Sequence, residues 1–184
     1  RVNATRSAPL SQRVVGVMVR VGRSNESDFN IAQWKGELDR LVVVDNSPSS
    51  EQAAATDLIC GHGNVGYGTA ADLGVFSALA SEPSSAWLVV VNSDAQPGRD
   101  FRALLAAENA CDVLAINYVN PDGSPQRSKA PLPTARNAMR VAIRGEAWTT
   151  ASADSTYPVG ACIVMKLGSF RALGGFDPRF FLYF

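Results

Sequence analysis

Trp87-Leu88-Val89-Val90-Val91 is an unbroken apolar run that ends on the polar, acidic tip Asn92-Ser93-Asp94. A strand with one wet face alternates, whereas a Val-rich run without alternation belongs to a strand covered on both faces, as in a parallel sheet between helices. Leu41-Val42-Val43-Val44-Asp45 repeats the design: a Val-rich strand closed by an acid. Two such strands imply βαβ units and a mostly parallel, twisted α/β sheet with helices on both faces. Ligands of such sheets bind beyond the carboxyl ends of the strands, where both acids lie. A carboxylate at that place suits a hard divalent cation held against phosphate oxygens. Asp94 could equally cap the helix that follows its strand, and the stretch alone does not decide between these uses.

The remaining elements fit the same plan. Residues 1–12 are polar and read as an arm, leaving 13–184 as one domain. Arg13 to Val21 is the first expected strand, and Phe29, Ile31, Trp34 and Leu38 give helical spacing over about residues 28–38. Glu51 to Ala55 suggests a helical turn, Asp57 to Cys60 a short strand, and an Ala-rich stretch a helix over about 69–80. Phe101 to Glu108 reads as a helix entered through Asp100, and Asp112 to Tyr118 as another strand. Residues 120–133 are expected to be loop, with Asp122-Gly123 marking a tight turn. A helix is expected over 134–148, a strand over 159–165, and a short helix from Leu167 to Leu173 closed by Gly174-Gly175.

Composition narrows the function. Lys and Arg total 17, and so do Asp and Glu, so the basic excess of a nucleic-acid binder is missing and no nucleic-acid partner is expected. No apolar run reaches the length of a membrane span. The three cysteines, Cys60, Cys111 and Cys162, are far apart and odd in number, which suits reduced thiols in the cytoplasm better than a disulfide framework. The chain opens on Arg1 and closes in the aromatic run ending at Phe184, so it reads as a window on a longer polypeptide.

Gly61-x-Gly63-x-x-Gly66 before a helix matches the dinucleotide fingerprint literally. It would make the protein an NAD(P)-dependent oxidoreductase, with a pyrophosphate on the helix N-terminus and Asp94 on the ribose. That assignment leaves the stronger strand ending at Asp45 without a role. A Gly-rich turn needed only for its backbone geometry produces the same pattern.

Taken in order, Asp45-Asn46-Ser47, Asn64-Val65-Gly66, Asn92-Ser93-Asp94, Gly160 and Gly174-Gly175-Phe176-Asp177 resemble the inverting glycosyltransferases of family 2, with the GT-A fold. The nearest branch contains rhamnosyltransferases and galactofuranosyltransferases. Each motif alone is common; the resemblance lies in their order over residues 13–184. It implies transfer of a sugar from a UDP- or dTDP-linked donor to a hydroxyl acceptor with inversion, assisted by Mg²⁺ or Mn²⁺. Asp45 would then hydrogen-bond the base, with Asn46, Asn64, Gly66, Asn92 and Ser93 lining the nucleotide pocket. Asp94 would be the metal ligand of an Asp-x-Asp signature whose first acid is Asn. Gly160, Gly174, Gly175 and Asp177 would border donor sugar and acceptor.

The departures are specific. Arg20 and Arg23 stand where the family's first strand ends in a Thr-Tyr-Asn-like segment, and could face a diphosphate or simply be solvated charges. Asp72 replaces an Asn, and an acid beside a diphosphate would be expected to face away. The family's general base follows the Phe-Phe-Leu-Tyr segment, so it is expected beyond Phe184, and no catalytic base is assigned within the chain. His62, the single histidine, reads as a polar loop residue. Arg136, Arg140 and Arg144 form a helical stripe that suits an anionic lipid-linked acceptor or a membrane surface, or a plain solvated face. Trp148 and Tyr157 could stack on an acceptor sugar or pack internally. The resemblance thus implies a glycan or lipid-linked acceptor, cell-envelope polysaccharide as the setting, and a cytoplasmic enzyme at the inner face of the membrane. A non-catalytic sugar-nucleotide-binding module is the remaining alternative.

Overall fold

A computed structural model describes residues 12–48, 57–108, 111–126, 128–131 and 156–181. Val14–Arg20 forms β1, Asn25–Glu37 α1, Arg40–Asp45 β2, Leu58–Ile59 β3 and Tyr67–Leu73 α2, which runs on into a π-helical turn at Gly74–Ala78. Trp87–Asn92 is β4, Phe101–Ala107 α3 and Val113–Leu114 β5. Tyr118–Val119, Pro125–Gln126, Lys129–Pro131 and Thr156–Pro158 are β6 to β9. Cys162–Lys166 is β10 and Leu167–Leu173 is α4.

Six strands make one sheet in the order β3-β2-β1-β4-β10-β5. β3, β2, β1 and β4 run parallel, and β10 returns antiparallel between β4 and β5. This is the expected mostly parallel α/β sheet, consistent with a GT-A-type arrangement. Alternate residues of each strand feed two cores. Val15, Val17, Val42, Val44, Leu88 and Val90 pack against α2 and α4. Val14, Met18, Val43, Trp87, Val89 and Val91 pack against Trp34 of α1 and Leu105 of α3. Residues Trp87 to Val91 of β4 are wholly buried, which is why that run needs no polar alternation.

The first helix starts earlier than its apolar spacing suggests. Ser24 caps it, and Ser24 and Ser27 bond reciprocally as a capping box. The expected strand over 112–118 keeps only Val113–Leu114. Tyr118 instead enters a hairpin with Pro125–Gln126, and its hydroxyl accepts from the Cys162 N–H at 3.0 Å, which draws the chain off the sheet. The Asp122-Gly123 turn lies in that hairpin, and β8 pairs with β9 where loop was expected. Asp100 stands at the start of α3 in a left-handed conformation, with no side-chain cap bond. The suggested helices at 51–55 and 134–148 lie outside the described residues.

Gly74 seats the end of α2 on the sheet. A Cβ there would come within 2.6 Å of Val17 Cγ1 and 2.8 Å of Val17 Cγ2, both on a wholly buried side chain. Gly74→Ala is therefore expected to destabilise by about 1–3 kcal/mol, overpacking outweighing the helix propensity of Ala. Gly36→Ala in α1, where nothing lies within 4 Å, is expected to stabilise by up to about 1 kcal/mol. Urea denaturation of both variants checks the contrast.

Candidate functional site

In the parallel part of the sheet the chain order reverses between β1 and β4, the place where crevices of open α/β sheets form. β1, β2 and β4 all end there. Asp45 and Asn46 follow β2, Asn92-Ser93-Asp94 follow β4, and Gly160 precedes antiparallel β10. The 61–66 turn leads from β3 into α2. The structure thus brings the nucleotide and metal candidates to one end of the sheet.

Asp94 is exposed, and its carboxylate makes no hydrogen bond or ion pair among the described residues. It does not cap a helix, because α3 begins only at Phe101. Its charge reaches the hydroxyl of Tyr67, whose pKa is raised chiefly by burial, then by Cys162, Tyr118 and Asp94. Tyr67 Oη donates to the Gly160 carbonyl at 3.3 Å, so the α2 entrance, the β10 entrance and the Asp94 turn meet around this ring. No group of three or more His, Cys, Asp or Glu among the described residues could hold a metal by itself. A lone unpaired carboxylate does fit Mg²⁺ or Mn²⁺ sites in which phosphate and water supply the other ligands.

Asp45 is buried and turned inward. Its Oδ1 accepts from Gly22 N and Ser47 N at 3.3 and 3.1 Å, and from the Ser47 hydroxyl; Oδ2 accepts from Arg20 Nε at 3.0 Å. A carboxylate offers about four lone-pair sites, so Oδ2 keeps room for one further donor. Burial pushes the Asp45 pKa up, but the Ser47 bonds and Arg20 outweigh it and the net shift is downward. Arg20 is thereby committed to Asp45 and, at 3.5 Å, to Asp28. Arg23 pairs with Asp28 at 2.7 Å. Both arginines are tied to acids of the chain itself rather than left for a diphosphate.

Asn46 works as a brace. Its Nδ2 donates to Asn64 Oδ1 at 2.8 Å and to the Gly66 carbonyl at 3.3 Å, and its Oδ1 accepts from Val65 N at 3.0 Å. Asn64 Oδ1 also takes the Gly66 N–H at 3.1 Å. Gly66 has φ 87°, and a Cβ there would lie 2.5 Å from the Phe181 carbonyl oxygen. That same oxygen accepts the Tyr67 N–H at 3.1 Å. The α2 N-terminus, where the dinucleotide fingerprint would seat a pyrophosphate, is thus covered by the chain's own backbone. β3, which precedes the fingerprint, is the edge strand.

The Gly174–Asp177 loop reaches the same helix. Phe176 packs edge-on to Tyr67 with centroids 6.3 Å apart, and its N–H lies 3.1 and 3.2 Å from the two Asp72 carboxylate oxygens. Asp72 is therefore the anchor of this loop, and burial raises its pKa despite that bond. Asp177 accepts from Arg179, which lowers its pKa to about 2. Both ring nitrogens of His62 are buried and unpartnered among the described residues. Tyr157 lies in β9; Arg136, Arg140, Arg144 and Trp148 fall outside the described residues.

Sequence reasoning missed two residues of α1. Asn30 Nδ2 donates to the Ser93 carbonyl and Trp34 Nε1 to the Ala95 carbonyl, both at 2.8 Å. Trp34 was legible only as an apolar stripe residue, and a polar residue in a helix carries no signal of facing inward. The Ser24-x-x-Ser27 box, which sets where α1 begins, was the available clue.

No protein-family model matches the chain. It is 33% identical over 144 residues to the N-acetylglucosaminyl-diphospho-decaprenol L-rhamnosyltransferase of Mycobacterium tuberculosis, strain CDC 1551 / Oshkosh, covering 65% of this chain and 47% of that protein. The same figures hold for the protein of that name from strain ATCC 25618 / H37Rv. The chain spans about half the length of the curated relatives it matches.

The folded pKa of Asp45 lies below its ordinary 3.8. Its network therefore stabilises the protein above that value, and the contribution is lost as pH falls through the lowered pKa. Asp45→Asn is expected to cost about 1–3 kcal/mol at pH 7, and progressively less as pH is lowered below 3.8. Urea denaturation of parent and variant over a series of pH values from 7 downward checks this.

Proposed function

We propose that this domain is a glycosyltransferase of the rhamnosyltransferase type. It would move a sugar from a nucleotide-diphospho donor, UDP- or dTDP-linked, to a hydroxyl of a lipid-linked glycan, with inversion. The observation that carries this is the unpaired, exposed Asp94 carboxylate on the turn after β4, beside the reversal in strand order. The mycobacterial rhamnosyltransferases support the sugar class and the lipid-diphosphate acceptor.

The residues divide the work by chemistry. Asp45, held ionised by Arg20 and Ser47, keeps one acceptor position on Oδ2 for a base N–H, such as the N3–H of uracil or thymine. Asn46 fixes the Asn64-Val65-Gly66 turn, bringing its backbone to the nucleotide. Asp94 would hold a Mg²⁺ or Mn²⁺ ion. Such a cation, when bound, neutralises negative charge on the departing phosphate oxygens. In the transfer, the acceptor oxygen bonds to the anomeric carbon from the face opposite the diphosphate, and the bond to that leaving group breaks. The acceptor proton passes to a general base. Asp177 is a poor base, since Arg179 lowers its pKa to about 2. Among the described residues no helix is long and apolar enough to cross a membrane. Under this reading the domain acts in the cytoplasm and meets its acceptor as a peripheral partner at the membrane's inner face.

Calorimetric titration with UDP and dTDP, with and without Mn²⁺, tests the proposal. Mn²⁺ is expected to strengthen nucleotide binding, and Asp94→Ala to remove at least about tenfold of that affinity. Metal-independent binding, or binding undiminished by the substitution, would sink the reading.

A further inference from the structure

The turn that carries Asp94 is held from beneath by α1. Asn30 and Trp34 stand one helical turn apart on the buried face of that helix, at 0% and 1% exposure. Their N–H groups donate to the Ser93 and Ala95 carbonyls, those of the two residues flanking Asp94 in the chain. The rest of the turn is tied as well. Asn92 N donates to the Ala161 carbonyl at 2.9 Å, and Ala95 N to the Asn92 carbonyl at 3.2 Å. Trp34 is itself fixed by the edge-on ring of Phe101, centroids 5.1 Å apart. Every strut ends on backbone, and the Asp94 carboxylate is left out of them all.

Asn30 is an unusual choice for this position. Its Oδ1 is buried and finds no partner among the described residues, which costs stability that an apolar residue would not lose. A helix that only had to adhere to the sheet would be served better by Leu. What Asn30 supplies and Leu cannot is a donor aimed at the Ser93 carbonyl.

We infer that Asn30 and Trp34 are positioning residues for Asp94, a two-point clamp that fixes the orientation in which its carboxylate would hold a divalent cation. The clamp rests on the proposed role of Asp94, and it extends the site to the buried face of α1. Hydrogen bonds of this outer kind set the orientation of metal-facing groups, and their loss commonly costs about 10–100-fold in metal affinity.

Two substitutions remove the donors while sparing the packing: Asn30→Leu, close in volume and free of the orphaned oxygen, and Trp34→Phe, which keeps a ring against Phe101. Each is compared with the parent and with Asp94→Ala by thermal melting and by calorimetric titration of UDP and dTDP, with and without Mn²⁺. Both clamp variants are expected to melt cooperatively, to match the parent without metal, and to lose about tenfold in Mn²⁺-supported nucleotide affinity. Trp34→Phe should add nothing to Asp94→Ala in the double variant, because residues acting through one group are not additive. If Asn30→Leu does not fold, Trp34→Phe decides alone. Parent-like Mn²⁺-supported affinity in the folded clamp variants, with the loss confined to Asp94→Ala, overturns the clamp and leaves the nucleotide site standing. Undiminished Mn²⁺-supported binding in Asp94→Ala overturns the metal reading, and the clamp with it.

Discussion

β4 hydrogen-bonds to parallel β1 on one side and to antiparallel β10 on the other, and its residues from Trp87 to Val91 are withdrawn from water on both faces. Burying one Val side chain is worth about 1.5–3 kcal/mol, so the Val89–Val91 run alone contributes several. A strand held this way cannot shift by one residue, because every side chain would cross to the opposite core. The polar tip inherits that fixity. Asn92, Ser93 and Asp94 begin where the ladder stops, and the end of β1 lies beside them in register, Val19 opposite Asn92.

Around that fixed tip, the crevice uses its polar side chains on its own backbone and on one another. Asn46 braces the 64–66 turn, Asp72 holds the Phe176 N–H, and Ser47 and Arg20 fill most of the Asp45 carboxylate. Bonds from charged or amide groups to backbone order a loop before any ligand arrives. Asp94 stands apart, exposed and outside every such bond among the described residues. That contrast between spent and unspent groups separates scaffold from ligand-facing chemistry within a cluster of very similar residues.

Much of this was legible in the sequence, and the misses have identifiable causes. Unbroken Val runs announce doubly buried strands, so β2 and β4 and their acidic ends could be read directly. An apolar run carries no direction, so antiparallel β10 could not be told from a parallel strand. The 112–118 segment has strand composition, yet the Tyr118 hydroxyl finds its partners near β10 and ends the pairing early. Asp72 was expected to face away from a diphosphate; it faces the 174–177 loop, a contact between residues a hundred positions apart. Arg20 looked free because Asp45 lies 25 residues away in sequence and only the β1–β2 register brings them together. Asn30 was the deepest miss, since polarity alone predicts solvent.

The glycines around α2 divide in a way that bears on how this surface can evolve. Gly66, Gly68 and Gly175 each face occupied space within 2.8 Å of where a Cβ would sit, whereas Gly98 and Gly160 have nothing within 4 Å. The first group is constrained by the fold itself, and any lineage keeping this architecture must keep them bare. Gly160 meets no such steric demand among the described residues. Under the proposed function, selection against side chains there would come from a molecule that occupies the space above the Tyr67 hydroxyl. A saturation library scored once for folding and once for function would therefore separate a demand of the fold at residue 160 from one made by a bound ligand.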